Sequence, residues 1–254
     1  MTALTTWAAG SDTGRAREAN EDSAYAGRWL YAVADGLGGH AAGEIASAAA
    51  ITALAAYDTE TEPARLVDVL ADAVRTANAA IRQHTEANPE FRGMGTTLTA
   101  MLWSGPAYAL AHIGDSRAYR LRGGQLRQLT EDHALGNLVA AARTIPALAP
   151  VMSRHLDGRA DRSPDLALLD ATPGDRYLLC SDGLTSVIPD HAIRGVLASD
   201  DTLTRIIERL TSLANSAGGP DNITAILIDL PASPARQDAA PAMLGAAGSS
   251  RARR

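Results

Sequence analysis

Lysine is missing from this chain of 254 residues, so all 23 basic residues are arginines. A Walker A nucleotide site, a Schiff-base enzyme and the phosphate anchor of a protein kinase each require a lysine. The sequence therefore excludes these three kinds of site. Cysteine occurs once, at Cys180. No disulfide framework can form, and we expect a reducing, cytoplasmic compartment.

Long apolar runs and an excess of positive charge are missing as well. No stretch of about 18 apolar residues occurs, so we predict no membrane-spanning helix. The N-terminus lacks the basic region and the apolar stretch of a signal peptide. The net charge of −6 disfavours nucleic acid as a partner. We expect a monomer that binds neither membranes nor nucleic acid.

Aspartates stand at the tips of four short apolar runs, each of which we interpret as a β-strand. Three runs end near the acid and the fourth begins just after it; the acids are Asp35, Asp115, Asp182 and Asp221. Antiparallel strands can bring acids from such tips to one edge. Clustered carboxylates repel one another, so the pattern predicts a bound hard cation between them.

Turn signals divide the middle of the chain into hairpins, with Ser104-Gly105-Pro106 and Gly123-Gly124 each between two predicted strands. Hairpins indicate antiparallel sheet rather than crossover units. Apolar residues at helical spacing predict helices in residues 66–81 and 203–214, and an alanine-rich stretch predicts another in 43–57. We therefore predict an α+β fold, with two packed sheets and helices outside them.

The composition changes after Leu230 to alanine, proline, serine and arginine. A segment of this kind cannot bury a core. We predict one catalytic domain in residues 1–230 and a disordered tail in residues 231–254.

The acids predict a centre with two metal ions, in which Asp35, Asp182 and Asp221 are ligands and Asp115 lies nearby. Oxygen ligands without histidine or cysteine favour Mg²⁺ or Mn²⁺ over Zn²⁺. Two such ions, about 3.5–4 Å apart, can share a water molecule and lower its pKa, which makes hydroxide at neutral pH. Gly36 has no side chain, so its carbonyl group can face an ion.

Arg17 lies a few residues before the acids Glu21 and Asp22. A guanidinium group binds phosphate through two parallel hydrogen bonds. We expect Asp22 to order metal-bound water from behind the ligands. Hydroxide on two metal ions, together with an arginine, predicts in-line hydrolysis of a phosphomonoester. An ordinary turn is the simpler interpretation of any single Asp-Gly pair, but four acids at strand tips favour the metal site.

Six short motifs occur in order between Thr5 and Leu230: Arg17…Asn20-Glu21-Asp22, Asp35-Gly36-Leu37-Gly38-Gly39-His40, Gly93-Met94-Gly95-Thr96-Thr97, Gly114-Asp115-Ser116-Arg117, Ser181-Asp182-Gly183 and Asp221-Asn222-Ile223-Thr224. Together they resemble the bacterial branch of the metal-dependent Ser/Thr protein phosphatases, the phosphatase 2C family. The resemblance implies a four-layer α-β-β-α sandwich, in which two antiparallel sheets are flanked by antiparallel helix pairs and Mn²⁺ or Mg²⁺ lies in the cleft.

The same resemblance implies roles for the residues of the motifs. Two ions would be held by Asp35, the carbonyl group of Gly36, Asp182 and Asp221, and Asp115 would belong to a third ion. Arg17 would bind the substrate phosphate. The implied substrates are phosphoserine and phosphothreonine in proteins, among them Ser/Thr kinases and the proteins they phosphorylate. We also expect Glu21 and Asn222 to lie beside Asp22, around the metal ligands.

The chain departs from the family pattern in two places. Eukaryotic members place a histidine, a candidate general acid, two residues after the first metal aspartate, where this chain has Leu37. His40 is close in sequence and is our candidate for that role. The mobile flap of the family would span residues 133–162, but it lacks the expected acidic and His-Pro features. Pro150 falls near the position of the serine of the third metal site.

Other functions fit parts of the sequence. Residues 36–41 match the dinucleotide pattern G-x-G-x-x-A, with Asp58 or Glu60 placed for a ribose contact, as in a Rossmann-type oxidoreductase. The later hairpins oppose that interpretation. A non-catalytic phosphopeptide-binding domain of the same fold and a phosphoesterase for small molecules are further alternatives. Cys180 and His112 are predicted core residues; the predicted surface histidines are His84, His133, His155 and His191.

Overall fold

The computed structural model describes residues 2–3, 5–38, 42–134, 152–232, 235–236 and 240–252. Two large antiparallel sheets and six α-helices are the main elements of this part of the chain. The strands are β1 (Thr2–Ala3), β2 (Thr6–Asp12), β3 (Asp22–Ala26), β4 (Leu30–Leu37), β5 (Gly95–Thr96), β6 (Leu98–Ser104), β7 (Ala107–Ile113), β8 (Arg117–Arg122), β9 (Gln125–Gln128), β10 (Asp165–Asp170), β11 (Arg176–Cys180), β12 (Ile223–Asp229), β13 (Ala235–Arg236) and β14 (Ala242–Gly245). The helices are α1 (Ala42–Ala55), α2 (Leu66–Ala87), α3 (Asp182–Thr185), α4 (Asp190–Leu197), α5 (Leu203–Ser216) and α6 (Ala246–Ala252). None of these helices is both long enough and apolar enough to cross a membrane.

The first sheet has the strand order β10-β7-β6-β4-β3-β14, with β5 paired to the end of β4, and the second has the order β2-β12-β11-β8-β9. A separate two-stranded ribbon joins β1 to β13. Every pairing within the two large sheets is antiparallel. A Rossmann sheet needs parallel strands, so the dinucleotide alternative is wrong.

Three apolar layers hold the sandwich together. One layer packs the first sheet against α1 and α2, through side chains such as Ile51 and Leu70. A second lies between the sheets, where Trp103 stacks on Tyr108 with ring centroids 4.7 Å apart. The third packs the second sheet against α4 and α5, through Leu210 among others. The predicted four-layer α-β-β-α sandwich is therefore confirmed.

The local signals in the sequence produce the expected elements. Gly123 and Gly124 form the two-residue turn between β8 and β9, with φ angles of +55° and +75°, which suits a hairpin turn that glycine accepts without strain. Helix α2 buries the predicted apolar stripe, including Leu66, Leu70 and Ile81, and it ends at Ala87, just before the Asn88-Pro89 stop. Each fully buried Leu or Ile stabilises the fold by about 1.5–3 kcal/mol.

The predicted disorder of residues 231–254 is wrong for the described part of that segment. Strand β14 pairs with β3 and forms an edge of the first sheet, and helix α6 follows β14 directly. Ala246 and Ala247 are buried, and the Ala247 amide donates to Ser23 Oγ at 3.1 Å. The segment has too little apolar surface for a core of its own, but it completes an existing sheet, which supplies hydrogen bonds and burial that composition does not reveal.

We predict that Gly245→Ala loosens this C-terminal segment. Gly245 has a φ of +65°, and a Cβ there would lie 2.1 Å from the carbonyl oxygen of Asp22. The variant should lose about 1–3 kcal/mol of stability, measured by urea unfolding, and limited proteolysis should cut the segment sooner. Gly195→Ala is the control, because it is exposed inside α4 with open space around it and should gain about 0.5–1 kcal/mol. Equal stability of both variants would contradict the prediction.

Candidate metal centre

The four strand-tip aspartates lie around one cavity of about 310 Å³, where β4, β7 and β11 end and β12 begins. The lining residues are Arg17, Glu21, Asp35, Gly36, Leu37, Gly38, Asp115, Met152, Asp182, Asp221 and Asn222. Surface cavities of about 500 and 580 Å³ occur elsewhere, but neither is lined by any of the four aspartates. The four strand-tip aspartates, rather than the size of the cavity, therefore identify the candidate site.

Thr96, at the end of β5, and Thr97, just before β6, fix the backbone of Asp35. The Asp35 amide donates to Thr97 Oγ1 at 2.9 Å, and its carbonyl oxygen accepts from the Thr97 amide and from Thr96 Oγ1. Thr97 Oγ1 also lies 2.8 Å from Ser116 Oγ, next to Asp115. A Cβ on Gly36 would lie 2.2 Å from the Gly43 carbonyl oxygen. Only glycine fits here, as close packing of this loop against the start of α1 requires.

Asp182 is the first residue of α3. The hydroxyl group of Ser181, the preceding residue, connects three segments of the chain through hydrogen bonds. Ser181 Oγ donates to Asp22 Oδ2 at 2.7 Å and accepts from the Thr224 amide at 3.0 Å. Asp22 is buried in β3, directly opposite Asp35 in the strand register. A Cβ on Gly183 would lie 2.0 Å from the Asn222 carbonyl oxygen. This missing side chain lets the Asp182 and Asp221 loops approach each other.

Asn222 connects Asp221 to the loop that carries Arg17. Its Oδ1 accepts from the Glu21 amide at 2.8 Å, and its Nδ2 donates to the carbonyl oxygens of Thr13 and Ala19 at 2.9 Å. Its own amide donates to Asp221 Oδ1. Arg17 Nη2 donates to Asp221 Oδ2 at 2.7 Å, and about half of the Arg17 side chain is exposed. The guanidinium therefore lies at the rim of the cavity with other donors free to meet a ligand.

Burial, and then the neighbouring negative charges, raise the pKa values of several carboxyl groups around the cavity. Burial raises the pKa of Asp35 well above its ordinary value, and the carboxylates of Asp22 and Asp182 add to the effect. Burial also raises the pKa of Asp22 to about 7 and that of Asp115 to about 7. For Asp182, burial and then the Asp221 carboxylate raise the pKa. Ionising these groups together costs free energy without a compensating cation.

The donor atoms fit divalent ions of the Mg²⁺ and Mn²⁺ class. One carboxylate oxygen each of Asp22, Asp115 and Asp182 is buried without a hydrogen-bond partner, although buried polar atoms normally have one. Within the described residues, no three His, Cys, Asp or Glu side chains are already arranged to hold one ion. One reason for this arrangement is that Arg17 donates a hydrogen bond to one carboxylate oxygen of Asp221. Carboxylate side chains reorient readily about their χ angles, so the carboxylates around this cavity can still converge on an ion.

The structure brings together nearly all the residues that the sequence singled out. The predicted ligands line the cavity, with Arg17, Glu21 and Asn222 beside them and Asp22 behind. His40, Pro150 and most of the predicted flap lie outside the described residues. Their roles and those of the ligands stay predictions.

Sequence reasoning missed several residues that position the site. Thr97, Ser181 and Gly183 were visible as parts of the motifs, but their contacts are made with distant segments. The surface prediction holds for His84 and His191 and is wrong for His133, which is 7% exposed. His112 is a core residue, as predicted: its ring meets Thr99 Oγ1 and the Glu131 carbonyl oxygen, each at 3.0 Å.

The chain is similar to known proteins along most of its length. Residues 10–227 match the family model described as protein phosphatase 2C. The chain is 44% identical to the serine/threonine protein phosphatase PstP of Mycobacterium tuberculosis over 237 residues, which are 91% of this chain and 46% of that protein. It is 37% identical to the protein phosphatase PhpP of Streptococcus pneumoniae, covering 87% of this chain and 95% of PhpP.

Among solved structures, the catalytic domain of PstP in complex with two manganese ions superposes with a TM-score of 0.83 and 45% identity. The match covers 89% of this chain and 98% of that domain. The chain thus spans about half the length of the M. tuberculosis protein, and nearly all of that protein's catalytic domain.

Proposed function

From the membership of this chain in the protein phosphatase 2C family, we propose that it hydrolyses phosphoserine and phosphothreonine in proteins, with two Mn²⁺ or Mg²⁺ ions. One observation carries the proposal: partly buried aspartates from four distant segments surround a single cavity with an arginine at its rim. Such a cavity suits a ligand that combines cations with a phosphate group. The two manganese ions of the PstP catalytic domain support the choice of metal.

Each side chain of the cavity has a proposed task. Asp35, the Gly36 carbonyl group, Asp182 and Asp221 would hold the two ions, and Asp115 would bind a third. When bound, the ions would polarise the phosphoryl oxygens and lower the pKa of a water molecule. Bound ions would also offset the repulsion that raises the carboxyl pKa values.

The residues around the ligands would orient them and the substrate. Asp22 and Ser181 fix the start of α3, while Glu21 and Asn222 place the Arg17 loop. Arg17 would bind the substrate phosphate with the donors that Asp221 leaves free. Leu37 lines the cavity at the position of the eukaryotic histidine, and its aliphatic side chain cannot donate a proton. His40 therefore stays our predicted general acid.

We further propose that the substrates are phosphorylated signalling proteins, including Ser/Thr kinases and their targets, and that the protein acts as a monomer in the cytoplasm. Cys180 supports the compartment, because it is buried and unpaired among the described residues, as expected of a reducing environment.

The function is tested with phosphopeptides. Phosphate release from phosphoserine and phosphothreonine peptides should require Mn²⁺ or Mg²⁺, stop with EDTA and return when metal is restored. Turnover that resists EDTA would overturn the proposal. Comparable kcat/KM values for small phosphomonoesters and for phosphopeptides would favour the small-molecule phosphoesterase. Tight phosphopeptide binding without turnover would favour the non-catalytic domain.

Arg17→Ala is predicted to raise KM for a phosphopeptide by about 10- to 100-fold with a smaller change in kcat, from the loss of about 1.5–3 kcal/mol of charge-assisted hydrogen bonding. Mn²⁺ affinity, followed by calorimetry, should not fall, since the variant frees an Asp221 oxygen. Arg15→Ala is the matched control, because Arg15 is exposed in the same loop but does not line the cavity. An unchanged KM in Arg17→Ala would remove Arg17 from the phosphate site.

A further inference from the structure

His133 holds the residue that precedes Asp115. The Gly114 amide donates to His133 Nδ1 at 3.0 Å, and the His133 amide donates back to the Gly114 carbonyl oxygen at 2.8 Å. Both polar backbone groups of Gly114 are therefore satisfied by a single residue. Asp115 follows immediately, with one carboxylate oxygen buried and unpartnered in the described structure.

Gly114 has little freedom to move without its neighbour. Its φ is +117°, and a Cβ at this position would lie 2.6 Å from Thr97 Cβ. Thr97 in turn receives the Asp35 amide. A displacement of the Gly114 peptide would therefore reach the Asp115 carboxylate on one side and the Asp35 backbone on the other.

The hydrogen bonds fix the ring of His133 in one tautomer. The Gly114 amide can only donate, so His133 Nδ1 must be the acceptor and the ring proton lies on Nε2. Nε2 lies 3.0 Å from Asp165 Oδ2 in β10, and Arg154 Nη1 lies 2.9 Å from the other oxygen of that carboxylate. Asp165 thus accepts from the His133 ring and from Arg154, and it orients the ring in the way that a carboxylate orients a metal-bound histidine from behind.

The neighbours of His133 hold the same loop from its other side. Asp132 forms a two-pronged ion pair with Arg117, two residues after Asp115, with contacts of 2.9 and 2.7 Å. The His133 carbonyl oxygen accepts from the Ser153 amide and hydroxyl, and the preceding Met152 lines the cavity. Residues 132–133 therefore contact the turn that carries Asp115 on both sides of that residue, at Gly114 and at Arg117.

We propose that His133 is a positioning residue for Asp115, and that its Nδ1 acceptor sets how strongly Asp115 binds a divalent cation. The inference rests on the proposed function only in taking Asp115 as a metal ligand. It assigns a task in the proposed phosphatase site to a histidine that does not line the cavity.

Two substitutions of His133 test the contacts of Nδ1 and of Nε2 one at a time. Asn at position 133 places its amide oxygen close to the place of Nδ1 and gives up Asp165. Gln reaches toward Asp165 and gives up the acceptor for Gly114. Mn²⁺ binding to the full chain is measured by calorimetry, with Asp115→Asn as the reference that removes the Asp115 binding step and Asp182→Asn as the reference for the ion pair.

We expect His133→Gln to weaken the Asp115 step by about tenfold or more, and His133→Asn to stay within about twofold of the unmodified protein. The double variant His133→Gln/Asp115→Asn should bind Mn²⁺ as weakly as the single variant Asp115→Asn, and no more weakly. The amide resonance of Gly114 in ¹⁵N NMR spectra should move in His133→Gln and stay in His133→Asn.

Three results would overturn the inference. One is an unchanged Asp115 step in His133→Gln, and another is equal weakening in both variants, which would indicate a purely structural role. The third is Mn²⁺ binding that Asp115→Asn leaves intact. In all three the proposed function stands if Asp182→Asn still abolishes binding of the ion pair; absence of any Mn²⁺ binding by the unmodified protein would overturn both.

Discussion

Asp182→Asn should lower kcat/KM for a phosphopeptide on the order of a thousandfold, or about 4 kcal/mol, while the metal-free protein becomes more stable. Asn keeps the shape of the side chain but removes the charge that a cation needs. In the absence of metal, burial and the Asp221 carboxylate raise the pKa of Asp182, so the ionised group is a cost to the fold. Removing that charge should stabilise the EDTA-treated protein at pH 8.

Asp229→Asn is the matched control, because Asp229 ends β12 away from the cavity and pairs with Arg176 at 2.7 Å. Loss of this partly buried ion pair should cost about 1–3 kcal/mol of stability and leave activity near its normal value. Phosphate release and urea unfolding in EDTA give the two readouts. Full activity in Asp182→Asn, or a loss of stability equal to that of Asp229→Asn, would contradict a metal role for Asp182.

The opposite signs expected for these two aspartates show what the sequence can reveal and what it cannot. Both acids adjoin apolar strands, and that position alone does not distinguish them. Asp182 is followed by glycine in a recurring motif, which marked it as a site residue, whereas the ion pair of Asp229 depends on β11 being its neighbour. Motifs located the carboxylates, but only the fold shows which charges lack a partner.

The errors in prediction share one physical cause, which is contact between segments distant in sequence. Strand β14 is four residues long and pairs with β3, more than 200 residues earlier, so no local propensity could indicate it. His133 is buried because Gly114 and Asp165 both contact its ring. An isolated histidine in the sequence does not indicate such contacts with distant residues. Hairpins and amphipathic helices were predictable because their determining contacts are local.

The stabilisation that Mn²⁺ gives should depend steeply on pH. At a fixed Mn²⁺ concentration of about 100 times the Kd at pH 8, we expect Tm to rise by about 5–10 °C at pH 8. At pH 5 the same concentration should raise Tm by less than about 2 °C. The pKa values of Asp22 and Asp115 are raised to about 7, and an unfolded aspartate titrates near 4. Between these values the metal-free folded state binds more protons than the unfolded state, so its stability falls as pH rises. Mn²⁺ needs the deprotonated carboxylates, so its effect grows over the same window.

His112 changes stability in the opposite direction, because burial lowers its pKa to about 4 and its folded form loses the proton first. Its ring contacts Thr99 and a backbone carbonyl group, not the cavity, so its contribution cancels when scans with Mn²⁺ and with EDTA are compared at each pH. Scanning calorimetry from pH 5 to 8 measures that difference, with Asp182→Asn as the control that should show little gain at any pH. Equal gains at pH 5 and pH 8 would mean that Mn²⁺ binds somewhere other than these raised carboxylates, because protons would then not compete with the ion for its ligands.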